Sequence, residues 1–344
     1  MLLLLAEAFH RLLYHGLLLR LPEARAVTVG QALLRRLPVE ALGAFTLEDP
    51  RLAVHLGGVR LPTPVILAAM YYDPVILRKA MALGFGAVTT KTITVSPRPG
   101  HPEPSLVRVF GPEGPGFLNC NGFKNPGLAA FRETLAGLPR RRPLIVSVAG
   151  DSPEEYRRLV EALEGLADVV ELNISSPNTR LVYELSASPD RVRTLLKEVR
   201  GATAKPVVVK LSPDYPDQNR EAIVPAVLDA GIDGVNFGNA RRVEHHGLSQ
   251  RAGGLSGPAL FENAQDTVRR LRRLVGPDLF LIATGGIDTP AKALAAIEAG
   301  ADAVGLFTAF ITRGPTLPRR IGEALVAALT ARGLQSVADL RGAG

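Results

Sequence analysis

The sequence is poor in the residues that build disulfide frameworks, zinc sites and base-stacking surfaces. Of its 344 residues one is cysteine, Cys120, none is tryptophan, and aromatic residues make up 5%. A single thiol cannot form a disulfide within the chain and fits a reducing compartment. Without a CxxC motif or clustered histidines, we expect no metal site. Sparse aromatic residues also argue against nucleic-acid binding, despite the net charge of +7.

The sequence also lacks a long hydrophobic run that is free of charge. Its start, MLLLLAEAFHRLLYHGLLLRLP, has no basic region before the apolar run and no small-residue cleavage site, so it is not typical of a signal peptide. Glu7, Arg11 and Arg20 interrupt the run, and we therefore expect that it does not cross a bilayer. The leucines recur on one helical face, and a second helix is predicted over 23–36. Residues 1–40 thus predict a helical hairpin on a membrane surface, the alternative being two helices packed on the main domain.

From residue 60 onward, apolar strand-like runs alternate with helical patterns. The runs are continuously apolar, as is typical of parallel strands covered by helices. They lie at 64–69, 86–91, 143–150, 168–173, 206–212, 233–239, 279–286 and 301–309. Eight such units predict an α/β fold, a (β/α)8 TIM barrel over residues 45–335 with an N-terminal helical extension. An open doubly wound sheet usually carries GxGxxG after its first strand, where this sequence has LAAMYYD.

Polar residues end almost every predicted strand. The carboxyl ends of parallel strands form the mouth in which the active sites of TIM barrels lie. Lys91 and Lys210 end the very apolar runs AVTTK and VVVK, which predicts that both lysines point into that mouth. The other polar residues near strand ends are Ser147, Asn173, Ser175, Ser176, Asn236, Asn239, Thr284 and Thr308.

The last two predicted strands end in small residues and a threonine. The segments ATGGID (283–288) and GLFTA (305–309) each precede a helix, and GGLSG (253–257) follows the sixth strand. Backbone amides in such loops hold phosphate groups, and glycine lets them approach closely. The alternative is a set of ordinary glycine turns. A phosphate site beside lysine, asparagine and serine predicts a phosphorylated cofactor, and FMN fits because a lysine stabilises negative charge on a reduced flavin.

Five segments, NISSPNT, VVVKLSPD, AGGLSGPAL, ATGGID and GLFTAFITRGP, together resemble the dihydroorotate dehydrogenase family. The resemblance runs in the same order from about residue 45 to residue 330. It implies oxidation of dihydroorotate to orotate with FMN in pyrimidine synthesis. The N-terminal helices resemble the extension of the membrane-associated, quinone-reducing class 2, and Ser176 stands where the soluble class has cysteine. Quinone as acceptor and a peripheral location on the cytoplasmic side of the cell membrane are thus implied, while monomer and homodimer both stay open.

The resemblance also implies individual site residues. Ser176 is implied as the catalytic base, with Thr179 as its proton relay because serine is a weak base. Arg108 is implied at the quinone entrance. The implied substrate contacts are Lys91, Asn119, Gly122, Phe123, Asn173, Asn178 and Asn239. The implied FMN contacts are Ala68, Ala69, Thr90, Lys91, Ser147, Asn173, Lys210, Gly238, Ser256, Gly257, Thr284, Gly285, Gly286, Phe307 and Thr308.

Several positions depart from the pattern of class 2. The segment AAMYYDPV lacks the lysine of that class, and Lys91 resembles the lysine of the soluble class. Ser147 replaces an asparagine, Ala240 replaces a hydroxyl residue, and the second N-terminal helix lacks a histidine near Ala26 and Val27. Two alternatives stay open: an FMN barrel with a soluble acceptor such as fumarate or a different pyrimidine-like substrate, and a membrane-bound flavin-binding barrel without catalysis.

Overall fold

The centre of the protein is a closed barrel of parallel strands. The computed structural model describes residues 2–38, 41, 43–176 and 188–342. The barrel strands are β3 Val65–Tyr71, β4 Ala87–Thr90, β7 Leu144–Val148, β8 Val169–Asn173, β9 Val207–Leu211, β10 Gly234–Phe237, β13 Phe280–Thr284 and β14 Ala303–Leu306. They pair in the order β3–β4–β7–β8–β9–β10–β13–β14, and β14 closes on β3. The predicted TIM barrel is thereby confirmed.

The strands of the barrel are buried on both faces. All five residues of β8 and all five of β9 are buried, as continuous apolar runs under helices require. The register places Asn173 beside Lys210 and Lys210 beside Asn236. Side chains of paired residues point to the same face of a sheet, so three neighbouring strands bring these polar groups together.

Helices follow the barrel strands and cover them. Helix α5, Pro153–Leu163, shows why they form. Ser152 caps it by accepting from the Glu155 amide, Pro153 occupies its first turn, and Tyr156 and Leu159 lie on its buried face. The helices are α1 Leu2–Gly16, α2 Glu23–Arg36, α3 Pro74–Met81, α4 Gly127–Ala136, α5 Pro153–Leu163, α6 Pro189–Ala202, α7 Asp217–Asp229, α8 Phe261–Val275, α9 Pro290–Glu298, α10 Thr308–Arg313 and α11 Leu317–Arg332.

A second sheet lies in two segments, 92–126 and 240–258, that fall outside the eight strand-like runs predicted from the sequence. Strands β5 Leu106–Gly111, β6 Gly114–Asn119, β11 Arg241–Glu244 and β12 Ala252–Ser256 pair in the order β11–β12–β6–β5. These strands were missed because β5 has no buried residue and β6 has only two, Gly116 and Leu118, so neither is a continuously apolar run. A short hairpin, β1 Val54–Leu56 with β2 Val59–Leu61, precedes the barrel.

The first two helices, here called the N-terminal helical pair, pack against the barrel through polar contacts. Glu7 pairs with Arg320 at 2.7 Å, and Arg35 pairs with Asp73 at 2.6 Å. The predicted second helix over 23–36 is confirmed. Against the expectation drawn from its charges, the stretch Leu2–Arg20 is long and apolar enough, by length and composition, to cross a membrane, and 6% of it is buried.

Candidate active site

A cavity of about 930 Å³, here called the central cavity, lies between the barrel and the N-terminal helical pair. One end lies at the carboxyl ends of β13 and β14, where Thr284 and Thr308 line it. The other end lies within the N-terminal helical pair, where Phe9 and Val27 line it. This volume suits a cofactor-sized ligand. One continuous space therefore joins the barrel mouth to the helical pair.

Three glycines, Gly257, Gly285 and Gly286, form a glycine cradle at the barrel end of the central cavity. All three have positive φ angles, of 122°, 131° and 72°. A Cβ atom on Gly286 would lie 2.3 Å from the Phe261 amide nitrogen, so only glycine fits that turn. Beside them the Thr308 hydroxyl lies 2.9 Å from the Ser256 hydroxyl. The exposed backbone and the two hydroxyl groups suit the oxygens of a phosphate.

Two lysines, here called the lysine pair, lie in the barrel mouth. Lys210 is 5% exposed and lines the central cavity. The Lys91 ammonium lies 3.9 Å from the Met70 sulfur. Burial, together with the positive charge of Lys210, lowers the pKa of Lys91 to about 8. One buried and one half-buried cation that repel each other make this region favourable for an anionic ligand.

A hydrogen-bonded network connects the polar ends of β4, β7 and β8. The Asn173 amide donates to the Thr92 hydroxyl at 2.9 Å, and Thr92 lies 3.0 Å from the Ser147 hydroxyl. Asn173 also accepts from the Ser175 hydroxyl at 2.9 Å, and Asn239 donates to the same hydroxyl at 2.8 Å. Ser175 thus joins Asn173 to Asn239. Sequence reasoning missed Thr92, whose only signal was its position one residue after Lys91.

Ser176, the predicted base, follows this network directly and is 6% exposed. Its backbone neighbour Ser175 is held by Asn173 and Asn239, which fixes the start of the loop after β8. The predicted substrate ligand Asn178 and the predicted relay Thr179 lie outside the described residues. The described structure therefore brings the candidate base next to the polar network, and both residues beyond it stay predictions.

The turn after β6 holds Phe123 in a backbone conformation that bulky residues rarely adopt. Phe123 has a φ angle of 56° and Gly122 one of 60°. The Asn125 amide donates to the Phe123 carbonyl at 2.6 Å and to the Thr94 hydroxyl at 2.8 Å, which holds the turn. Strained backbone of this kind clusters at functional sites. Asn119 lines the central cavity, whereas Gly122 and Phe123 are not among the residues that line it.

Arg108, the predicted quinone contact, lies at the helical end of the central cavity. Its guanidinium donates to the carbonyls of Leu18 at 3.0 Å and Leu21 at 2.5 Å, and to Glu23 at 3.3 Å. These bonds fasten the link between α1 and α2 to β5. Arg108 therefore shapes this end of the cavity by holding the N-terminal helical pair in place.

Tyr14 and His10 are polar residues of this end that sequence reasoning missed. Tyr14 is 3% exposed, and its hydroxyl has no hydrogen-bond partner among the described residues. Burial raises the pKa of Tyr14, although Arg108 and Arg313 oppose the shift, so the hydroxyl stays a neutral donor. His10 Nε2 lies 3.0 Å from the Ile311 carbonyl oxygen, to which it donates. The only sequence signal was their spacing of four residues on one helix.

Most of the predicted site residues lie around the central cavity, with Arg108 at its helical end and the others nearer the barrel. The predicted residues that line the central cavity are Ala68, Ala69, Arg108, Asn119, Lys210, Asn239, Ser256, Gly257, Thr284, Gly285, Gly286, Phe307 and Thr308. Thr90 accepts from the Ser147 amide at 3.2 Å, behind the lysine pair. A Cβ atom on Gly238 would lie 1.4 Å from the Thr284 carbonyl oxygen, so this glycine allows two strands to approach.

Comparisons with known proteins match most of the chain. The family described as dihydroorotate dehydrogenase matches residues 51–329. A dihydroorotate dehydrogenase (quinone) of Thermobifida fusca (strain YX) is 35% identical over 97% of this chain and 96% of that protein. One of Deinococcus radiodurans is 38% identical over 76% of each. The ligand-free DHODH structure from Eimeria tenella has a TM-score of 0.78 and 27% identity, covering 90% of this chain and 98% of that one. The same enzyme in complex with ferulenol has a TM-score of 0.77 and 26% identity, covering 88% and 92%.

Proposed function

Because the chain belongs to the dihydroorotate dehydrogenase family, we propose that its central cavity holds FMN at the barrel end and admits a quinone at the helical end. The protein is an oxidoreductase that oxidises dihydroorotate to orotate in pyrimidine biosynthesis, and its electrons pass to a quinone. The observation that carries the proposal is the continuity of the cavity, because one flavin must meet two different substrates in turn.

The residues at the barrel end fit FMN. The glycine cradle, with Thr284, Ser256, Phe307 and Thr308, would hold the phosphate. The lysine pair would face the ring system and stabilise negative charge there. When bound, flavin accepts the hydride removed from dihydroorotate. The remaining proposed FMN contacts are Ala68, Ala69, Thr90, Ser147, Asn173 and Gly238.

The substrate would bind between the asparagines and the turn at Phe123. An amide carries both a donor and an acceptor, which matches the edge of a pyrimidinedione ring. Lys91 would pair with the substrate carboxylate. The proposed ligands are Lys91, Asn119, Gly122, Phe123, Asn173 and Asn239, with Asn178 in the loop beyond the described residues.

Proton removal would fall to Ser176. Its hydroxyl would take the proton from the carbon beside the substrate carbonyl, and the hydride would leave from the neighbouring ring carbon. Serine is too weak a base to act without passing the proton on. We propose Thr179 for that step. Burial of Ser176 keeps bulk water away from the reacting carbons.

The charge of Lys91 predicts how orotate binding depends on pH. Below pH 8 the ammonium is charged, and above it the charge is lost. Orotate affinity should therefore be nearly constant below about pH 7 and fall up to about tenfold per unit above pH 8. Titration of flavin absorbance with orotate from pH 6.5 to 9.5 measures this. Lys91→Met should bind orotate weakly, with an affinity that does not depend on pH. An affinity of the unchanged protein that does not depend on pH would contradict the role of Lys91 in binding orotate.

We propose that Tyr14 supplies the hydrogen-bond donor for a quinone carbonyl. Its hydroxyl is buried and lines the helical end of the central cavity, where the predicted histidine position holds Ala26 and Val27. Tyr14→Phe should raise the KM for quinone by about 2- to 10-fold, the effect of one net hydrogen bond. Flavin reduction by dihydroorotate should not change. Tyr72→Phe, at a residue 46% exposed, is the control; an unaltered quinone KM in Tyr14→Phe would remove this role.

We propose that residues 1–40 and 45–335 are two units, and that the first attaches peripherally to the cytoplasmic side of the cell membrane. Leu4, Leu5, Phe9 and Leu12 are 60–72% exposed. Burying each such side chain in lipid is favourable by roughly 1.5–3 kcal/mol. The contacts of His10 with Ile311 and of Glu7 with Arg320 favour a helix that lies on the barrel over one that leaves it.

The attachment to the membrane can be tested with one double variant of α1 and one control variant of α8. Phe9→Gln combined with Leu12→Gln should weaken sedimentation with anionic lipid vesicles by more than about tenfold. Leu274→Gln removes an equally apolar side chain, 49% exposed, from α8 and should have no effect. Equal sedimentation of both variants would show that the exposed face of α1 does not insert.

The function is tested by offering acceptors separately to the purified protein. Dihydroorotate should bleach the flavin without oxygen, and a quinone should restore its colour faster than fumarate or NAD. Bleaching with fumarate as the preferred acceptor would favour the soluble-acceptor alternative. Absence of bleaching by dihydroorotate, with normal bleaching by dithionite, would sink the proposal.

A further inference from the structure

A buried carboxylate, Glu171, lies in the barrel below the proposed flavin site and has no role in the reaction described above. It stands two residues before Asn173 on β8, so both side chains point to the same face of the strand. Glu171 is 2% exposed. Its Oε2 accepts from the Asn236 amide at 2.7 Å. Its Oε1 has no hydrogen-bond partner among the described residues and lies 3.9 Å from the Lys210 ammonium.

The other buried carboxylates of the described chain are paired differently. Asp288 accepts from Arg313 and Lys292 at 2.7 Å each, and Asp302 accepts from Arg272 at 2.5 Å. Those pairs are closed by direct hydrogen bonds. Glu171 instead has one carboxylate oxygen without a hydrogen bond among the described residues, and this oxygen lies 3.9 Å from Lys210, which lines the central cavity. Burying a charged oxygen without a hydrogen bond destabilises the folded protein. We therefore expect that the charge of Glu171 has an electrostatic role.

Asn236 connects Glu171 to the glycine cradle. While its amide nitrogen donates to Glu171, its amide oxygen accepts from the Thr284 hydroxyl at 2.8 Å. Thr284 immediately precedes Gly285. The same asparagine is paired in register with Lys210. Glu171, Asn236 and Thr284 therefore form a hydrogen-bonded chain next to Lys210.

We propose that Glu171 is the counter-ion of the lysine pair and offsets its positive charge before an anionic ligand arrives. Two ammonium groups in one buried site repel each other, and the loss of water raises the cost of each charge. One carboxylate 3.9 Å from Lys210 offsets that cost. The inference rests on the proposed flavin and orotate site. Glu171 would be a positioning residue, because it acts on the ligands through the lysines.

Within the described part of the chain, two titratable groups interact with Lys210. Glu171 approaches from β8 and Lys91 from the end of β4, while β10 contributes no charged side chain. Tyr71 on β3 has its pKa raised to about 12 by burial and stays neutral in the range that matters. A change in the charge of these residues between pH 6 and pH 9 is therefore expected at Lys91, whose pKa is lowered to about 8 by burial and by the charge of Lys210.

Glu171→Gln provides the test, because glutamine keeps an acceptor for Asn236 and removes only the charge. Orotate affinity, measured from flavin absorbance, should match the unchanged protein at pH 6 and be at least tenfold weaker at pH 8. Glu161→Gln removes an equal charge from an exposed ion pair with Arg157 and should follow the unchanged protein at both values. Equal affinities of Glu171→Gln and the unchanged protein at pH 8, or a loss of the same size at both pH values, would overturn the counter-ion role.

A double variant covers the case in which Glu171→Gln does not fold. Adding Lys210→Met removes both buried charges, and a counter-ion role predicts that folding is restored. If the double variant also fails to fold, Glu171 is needed for packing and the inference is wrong. Two different results would contradict the proposed function and the counter-ion role. If dihydroorotate does not bleach the flavin of the unchanged protein, the proposed function is wrong. If orotate affinity in Glu171→Gln has the same pH dependence as in the unchanged protein, only the counter-ion role is wrong.

Discussion

Replacing Ser176 by alanine should slow flavin reduction by dihydroorotate by about 10²–10⁴-fold, the range that a positioned general base contributes. The hydroxyl is buried beside the network of Asn173 and Ser175, which fixes where it meets the substrate. Alanine removes the proton acceptor without adding volume, so FMN content and orotate binding should persist. Anaerobic stopped-flow mixing with dihydroorotate measures the rate of the first half-reaction alone.

Ser176→Cys is the matched control for that result. A thiol keeps an ionisable group at the same position, so this variant should retain a measurable fraction of the rate and gain a steeper dependence on pH. Reduction of Ser176→Ala at the original rate would remove Ser176 from the base role. Loss of bound FMN from Ser176→Ala would instead show that the hydroxyl supports the loop after β8.

Replacing Lys210 by methionine should lower the rate of flavin reduction by about 10²–10³-fold, the cost of removing one preorganised electrostatic partner. Lys210 lines the central cavity next to the glycine cradle, and its charge would oppose the negative charge of a reduced flavin. Methionine nearly matches the shape of the lysine stem and removes the charge. The midpoint potential of the bound flavin should therefore become more negative, which a dye-coupled reductive titration measures.

Lys210→Met also leaves Glu171 buried without a cation. Breaking a buried pair in this way costs roughly 3–5 kcal/mol of folding free energy, so thermal unfolding must be followed beside the kinetics. The double variant Lys210→Met with Glu171→Gln should recover stability but not the rate of reduction. Recovery of both would mean that the slow rate came from misfolding, and Lys210 would lose its role at the flavin.

The sequence was sufficient for the barrel and for most of the proposed site. Each barrel strand is a short, continuously apolar run before a helix, and that pattern depends on local sequence alone. Lys91, Lys210 and the glycines after β13 stood out because polar or small residues end runs that are otherwise buried. Since parallel strands end at one edge, the order of the elements already placed these residues together.

The antiparallel sheet and the helical end of the central cavity were decided only by the tertiary structure. β5 has no buried residue and β6 has only two. Their position is set by pairing: β5 pairs with β6, and β6 pairs with β12, which lies far along the chain. In the sequence, Tyr14 is one of several residues on an amphipathic helix. In the structure, Arg108 binds the segment that follows this helix, and Tyr14 lines the central cavity. In the sequence, Glu171 is only a polar residue within a strand. Its electrostatic role follows from its distance of 3.9 Å to Lys210 on the neighbouring strand. Local patterns predict which residues are buried, but which buried charges meet depends on the register of strands that the sequence does not connect directly.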